Sequence, residues 1–174
     1  MATVVFIAGP AGVGKSTLGD ALASRLDGVH LDFDVVSQQV VDRARAAHPE
    51  SSEAELLLLV KEDRYAALHA ALASHLVQDP DVAVVVSAPF TRQVADDLAW
   101  QPWSQATPNS HLVWLDLEDE ERGRRIAARG ATRDAGAVRG PVLAPGVAYL
   151  ALDASAPVAA LVDAVCRRLD EGSG

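Results

Sequence analysis

The chain has 174 residues, 49% of them hydrophobic and 22% charged, a length and composition able to bury a core of its own. Its formal net charge of −9 argues against a nucleic-acid groove, because binding a polyanion needs clustered Lys and Arg. The single cysteine, Cys166, excludes an intrachain disulfide framework, and no apolar run reaches the ~20 residues of a membrane span. In chain order, apolar and β-branched runs at Thr3 to Ala8, Val29 to Phe33, Val82 to Ser87, His111 to Leu117 and Val147 to Leu152 predict strands buried on both faces. Helical segments fill the gaps. Lys15 to Leu26 follows a glycine loop, and Tyr65, Leu68, Leu72 and Leu76 repeat at helical spacing within a segment from about Ser52 to Val77. Val158, Leu161, Val162, Val165 and Leu169 give the last helix one apolar face, on which Cys166 is filler. Strands alternating with helices imply βαβ units and a parallel sheet covered on both sides.

The N-terminal run lacks a charged leader and passes straight into the glycines, so it reads as a core strand rather than a signal peptide, and the expected compartment is the cytoplasm. Residues 1–170 read as a single domain and 171–174 as a frayed tail. The stretch 129–146 is rich in Gly, Pro and Arg and has no sustained period; it reads as a surface loop or, if a phosphate lies near Arg125, Arg129, Arg133 and Arg139, as a lid.

Residues 9 to 16, GPAGVGKS, satisfy the pattern G-x-x-x-x-G-K-[ST] between a strand and a helix. Gly9, Ala11, Gly12, Val13 and Gly14 let the backbone wrap a phosphate with its N–H groups inward, and the helix from Lys15 presents its positive dipole end. Lys15 is placed for the β- and γ-phosphates of a nucleotide and Ser16 for Mg²⁺, with Thr17 a further nucleotide-binding residue. Two residues apart at the end of the second strand, Asp32 and Asp34 share one side by alternation, at the sheet edge where open α/β sheets bind ligands. One carboxylate can orient Mg²⁺ through water while the other accepts the proton of a substrate hydroxyl. Asp34, just before a helical stretch, is also a candidate helix cap.

The segments GPAGVGKST, DFD at 32–34, VVVSAPFTR at 84–92, RRIAARGATRD at 124–134 and LDASAP at 152–157 together resemble the small P-loop kinases, a group that includes gluconate kinase, shikimate kinase, chloramphenicol phosphotransferase and related AAA-type ATP-binding proteins. The resemblance spans nearly the whole chain, although only the first segment is specific alone. It implies an α/β P-loop NTPase three-layer sandwich whose five-stranded parallel sheet has the order 2-3-1-4-5, with a mobile lid. It also implies ATP and Mg²⁺ as cofactors, Asp32 near the metal and Asp34 as base. Arg129 and Arg133 would fold over the phosphates, and Ser155, Ala156 and Pro157 would border the adenine. One departure stands out: Ser87 follows the third strand where many P-loop proteins carry a Mg²⁺-orienting Asp.

The acceptor pocket is expected between the second and third strands and just after the third, from Gln38, Gln39, Arg43, Arg64, Phe90, Thr91 and Arg92. Arg92 suits a substrate carboxylate or phosphate. Arg64 is either a ligand or a solvated or salt-bridged helix charge, with Glu62 and Asp63 adjacent. Trp100 and Trp103 read as packing anchors, and the five histidines carry no chemistry. The expected activity is transfer of the γ-phosphate of ATP to a hydroxyl of a small polar molecule, a sugar acid such as gluconate first. A nucleoside, nucleotide or antibiotic phosphotransferase is the enzyme alternative, and a regulatory ATPase switch the alternative of another class. The expected partner is that small-molecule acceptor, without nucleic acid or membrane, in a monomer or homodimer.

Overall fold

A computed structural model describes residues 1–129 and 143–171. Five strands, β1 (Val4–Ala8), β2 (Val29–Asp32), β3 (Val84–Ser87), β4 (Ser110–Asp116) and β5 (Leu150–Asp153), form one sheet in the order β2-β3-β1-β4-β5 with every pairing parallel. Eight helices accompany them among the described residues: α1 (Lys15–Arg25), α2 (Phe33–Val36), α3 (Gln38–Ala47), α4 (Glu53–Leu59), α5 (Lys61–Gln78), α6 (Asp97–Ser104), α7 (Asp119–Arg129) and α8 (Val158–Glu171). The sheet order is the expected one.

Strand β1 lies at the centre, and alternation sends its side chains to two cores. Val4, Phe6 and Ala8 pack with Tyr65, Leu68 and Leu72 of α5 and with Trp100 and Trp103 of α6. Val5 and Ile7 face the other way, against Leu18 and Leu22 of α1 and Leu161, Val162 and Val165 of α8, with Cys166 packed at the margin. Both tryptophans are therefore packing anchors, edge-on to Phe6 at 5.1 and 6.0 Å between ring centroids. No helix among the described residues is long and apolar enough to cross a membrane.

The helix expected from about Ser52 to Val77 is two helices that meet at Val60. Leu56 and Val60 pack with Val41 and Ala44 of α3, whereas Tyr65, Leu68 and Leu72 pack on the sheet, so one apolar period serves two partners in different directions. A Ser52–Glu55 capping box starts α4. The second strand ends at Asp32, and Phe33 already belongs to α2. The fifth begins at Leu150: the Gly146 N–H is donated to the Val94 carbonyl at 2.8 Å, which ties that stretch to the loop after β3, and Val147 joins the α5–α6 core.

Candidate active site

The loop between β1 and α1 turns on Gly9, Gly12 and Gly14, all at positive φ. At Gly12 a Cβ would stand 2.7 Å from Cγ1 of Ile126, so only glycine lets α7 pack this closely over the loop. Gly14, left-handed at φ 100°, starts α1 with no side-chain cap, and no acidic residue stands in the first turn. The leading amides and the positive dipole end therefore remain available to an anion. The Lys15 ammonium donates to the carbonyls of Gly9 (2.9 Å) and Pro10 (2.7 Å), which folds it back over the loop.

Ala11, Gly12, Gly14, Lys15, Ser16 and Thr17 line one wall of an open cleft of about 590 Å³ at the carboxyl edge of the sheet. Val13 does not: its side chain is buried in the core beside Ile7 and Leu115. Asp32, Phe33, Asp34, Val35, Leu57 and Arg64 line the same cleft.

Asp32 is held from four directions. Its Oδ2 accepts the Ser16 hydroxyl at 2.6 Å and the Ser87 hydroxyl at 3.0 Å, and its Oδ1 accepts the amides of Asp34 at 2.9 Å and Val35 at 3.3 Å. Burial pushes the carboxyl pKa up, but these hydrogen bonds outweigh it and hold the group below its ordinary value, as a carboxylate. Asp32, not Asp34, thus caps α2, and the two carboxylates do not share one side of a strand. An oxygen-only set of Ser16, Asp32 and Ser87 suits a hard cation such as Mg²⁺. Among the described residues no group of three or more His, Cys, Asp or Glu could enclose a metal. Phosphate oxygens and water would have to supply the remaining ligands of a cation there.

Asp34 pairs with Arg64, whose Nη2 donates to Oδ1 at 2.5 Å. The same guanidinium donates from Nε to the Ser37 hydroxyl at 2.8 Å and stacks on the Phe33 ring, 4.1 Å from its centroid. Arg64 is buried and Asp34 is half-exposed, its side chain 48% accessible. Arg64 is thus not a solvated charge but a salt-bridged one, with Asp34 rather than the adjacent Glu62 or Asp63 as its partner, and it lines the cleft beside that carboxylate. The sequence offered Ser37 no role.

Other expected site residues lie elsewhere. Phe90 is completely buried against Phe6, Tyr65, Trp100 and Trp103; its left-handed backbone (φ 51°) and an N–H bond to the Tyr65 hydroxyl at 3.0 Å hold the loop carrying Ala88 and Pro89, which do line the cleft. Burial pushes the Tyr65 phenol up to about 12. Arg92 is 73% exposed, 3.6 Å from Glu62, and Gln38 is exposed and bonded to Asp42 at 2.9 Å. Neither lines the cleft. The phenylalanine turns inward because the core beneath the sheet edge takes its ring, and the chain then leaves Arg92 outside.

Ser155, Ala156 and Pro157 form the turn between β5 and α8 and do not line this cleft, although Arg125 of α7 donates to the neighbouring Ala154 carbonyl at 3.2 Å. Arg129 ends α7. Arg133, Arg139 and the rest of the expected lid, apart from Arg129 and residues 143–146, lie outside the described residues. Sequence reasoning missed His30, Asp20 and Leu57, all on the cleft. A signal existed for the first two: Asp20 follows Ser16 by one helical turn, and His30 alternates with Asp32 on β2.

A family model described as an AAA domain matches residues 4–144. The chain belongs to that family. Its fold is that of P-loop kinases of known structure, as the sequence resemblance implied. It is similar to APS kinase from Mycobacterium tuberculosis, solved with AMPPNP and APS (TM-score 0.67, 18% identity, 97% of this chain and 98% of that one). It is similar also to a gluconokinase from Sinorhizobium meliloti (TM-score 0.60, 20% identity, 98% and 92%) and to shikimate kinase from Aquifex aeolicus (TM-score 0.55, 16% identity, 98% and 98%). No curated protein sequence matches the chain.

Proposed function

We propose that the chain is an ATP-dependent phosphotransferase whose acceptor is a hydroxyl of a small polar molecule. The observation that carries this reading is that the phosphate loop with Lys15 and Ser16, and the Asp34–Arg64 pair, line the same cleft. A nucleotide and an acceptor can meet there. The kinase neighbours, one of them bound to AMPPNP, support the same reading by fold.

In this reading the acceptor oxygen attacks the γ-phosphorus of ATP, the bond to the β-phosphate oxygen breaks, and the hydroxyl proton passes to the Asp34 carboxylate. Arg64 holds Asp34 in one orientation, so the base is in place before the acceptor arrives. Lys15 leaves its loop carbonyls for the β- and γ-phosphates and balances charge as the phosphoryl group moves. Mg²⁺, held at Ser16 and oriented by Asp32, supplies charge neutralisation on the phosphates when bound. Arginines 129 and 133 are proposed to close over them. Ser155, Ala156 and Pro157 are proposed to border the adenine.

A sugar acid such as gluconate is the first acceptor to test, on the likeness of fold to the gluconokinase. One observation favours a second reading, an antibiotic-type acceptor with an apolar face: Val35, 75% exposed, and Leu57 stand on the acceptor side of the cleft. An ATP-consumption screen over sugars, sugar acids, nucleosides, aminoglycosides and phenicols decides. ADP release confined to one acceptor class identifies the substrate. Equal release with and without every acceptor refutes the phosphotransferase and supports a hydrolytic switch.

A further inference from the structure

One buried polar chain next to the cleft is left over from the mechanism. The imidazole of His30, its side chain only 9% accessible, stands between α1 and β3. Its Nδ1 meets the Asp20 carboxylate at 2.7 Å and its Nε2 meets the Ser87 hydroxyl at 2.9 Å. The Asp20 carboxylate accepts from Nδ1, and the Ser87 hydroxyl oxygen stands between Nε2 and Oδ2 of Asp32. The pocket for the ring is built by a glycine: a Cβ at Gly19 would lie 2.2 Å from Nε2. The Ser87 hydroxyl on β3 thus meets two side chains of β2, His30 and Asp32, and the Asp32 oxygen it meets also takes Ser16.

We propose that His30 is a positioning residue of the cation site: seated against Gly19 and held by Asp20, it fixes the Ser87 side chain beside Asp32 and so sets the orientation of the carboxylate that serves Mg²⁺. The absence of an acidic residue at position 87 gives this arrangement its purpose. Where a carboxylate is supplied from β2 instead of from the end of β3, a small hydroxyl on β3 can bridge the gap, but a hydroxyl rotates freely unless a second group fixes it. His30 is that group. Outer partners of this kind commonly change metal affinity by about 10- to 100-fold when removed.

The inference rests on the reading of Ser16 and Asp32 as the Mg²⁺ site, and the experiment separates the two. AMPPNP affinity is measured by calorimetry at a series of free Mg²⁺ concentrations, which gives the half-saturating Mg²⁺ without any acceptor or turnover. Four variants are compared with the wild type: His30→Asn, whose amide stops short of Ser87; His30→Gln, whose amide nitrogen reaches as far as Nε2; Ser87→Ala; and Asp32→Asn. Half-saturating Mg²⁺ should rise about tenfold in His30→Asn and Ser87→Ala and less than about threefold in His30→Gln. If Asp32→Asn raises it while His30→Asn and Ser87→Ala do not, the role given to His30 is wrong and the metal site stands. If His30→Asn and His30→Gln raise it equally, in step with equal losses of melting temperature, His30 only packs, and the proposal is overturned. If Asp32→Asn changes nothing, the metal site itself is misassigned and the proposal falls with it. Should His30→Asn fail to fold, Asp20→Ala decides, since it keeps Ser87 and the ring but removes the group that holds the ring: a raised half-saturating Mg²⁺ is expected, and an unchanged one overturns the proposal.

Discussion

Gly19→Ala should change the sign of its effect on stability according to what occupies position 30. Inside a helix, Gly→Ala ordinarily stabilises by about 0.5–1 kcal/mol, because alanine loses less backbone entropy on folding. In the wild type the added methyl would stand 2.2 Å from Nε2 of His30 and 2.5 Å from Cε1, far inside contact distance, and the ring must leave. The bond to Ser87 is then lost, at about 1 kcal/mol, together with the contact to Asp20, which is discounted to about 1 kcal/mol because that carboxylate is solvent-exposed. Together these losses of about 2 kcal/mol exceed the helix gain, leaving Gly19→Ala destabilising by roughly 1 kcal/mol. For a chain of this length that lowers the melting temperature by about 2–4 °C. In a His30→Ala background the three nearest atoms are gone, and the same substitution should raise the melting temperature by a similar amount. Thermal unfolding followed by circular dichroism on the four proteins of the cycle reads this directly. An increase for Gly19→Ala in the wild type, or an equal decrease in both backgrounds, would refute the claim that Gly19 exists to seat the imidazole.

Three further outcomes are expected. Asp34→Asn should cost more stability in urea than Arg64→Met, because it leaves a buried guanidinium without its anion, whereas the half-exposed Asp34 can be rehydrated; the expected costs are about 2–4 and about 1–2 kcal/mol, and the reverse order would contradict the burial asymmetry. Lys15→Met should weaken AMPPNP binding at least about tenfold by calorimetry, since a phosphate contact of an ammonium is worth more than a neutral hydrogen bond, and unchanged affinity would discredit the phosphate loop. The Asp32 carboxyl is held below its ordinary 3.8 in the folded state, so its contribution is present above that value and is lost as the pH falls through the folded one. The melting temperature of Asp32→Asn should accordingly fall less steeply than that of the wild type below about pH 4, and parallel curves would show that the hydrogen bonds to Asp32 do not stabilise its ionised form.

Much of the fold was legible because its causes are local. The glycine loop, the strand before it and the helix after it sit in 25 consecutive residues, from Thr3 to about Asp27, and each carries its own backbone signal. The parallel sheet followed from apolar strands between helices, although burial on both faces, expected of all five, holds along the whole of β1 and β3 and fails in β2 and β5, which lie at the edges of the sheet. The Asp32 position was readable as well, since it ends an apolar strand at the ligand-binding edge. Periodicity, by contrast, could not show the break at Val60, because Leu56 and Val60 continue the apolar spacing into Tyr65 and Leu68 while facing a different neighbour.

What only the tertiary structure decided is which polar groups meet. Arg64 finds Asp34 across 30 positions, His30 finds Ser87 across 57 and Ser87 finds Asp32 across 55. Phe90, read as a pocket residue beside a strand end, goes into the core, and Arg92 goes to the surface two residues later. Local sequence carries the backbone's preferences and the spacing of apolar faces. It does not carry the partner of a buried charge, because that partner is selected when helices and strands pack and every desolvated donor must find an acceptor nearby in space, wherever it lies along the chain.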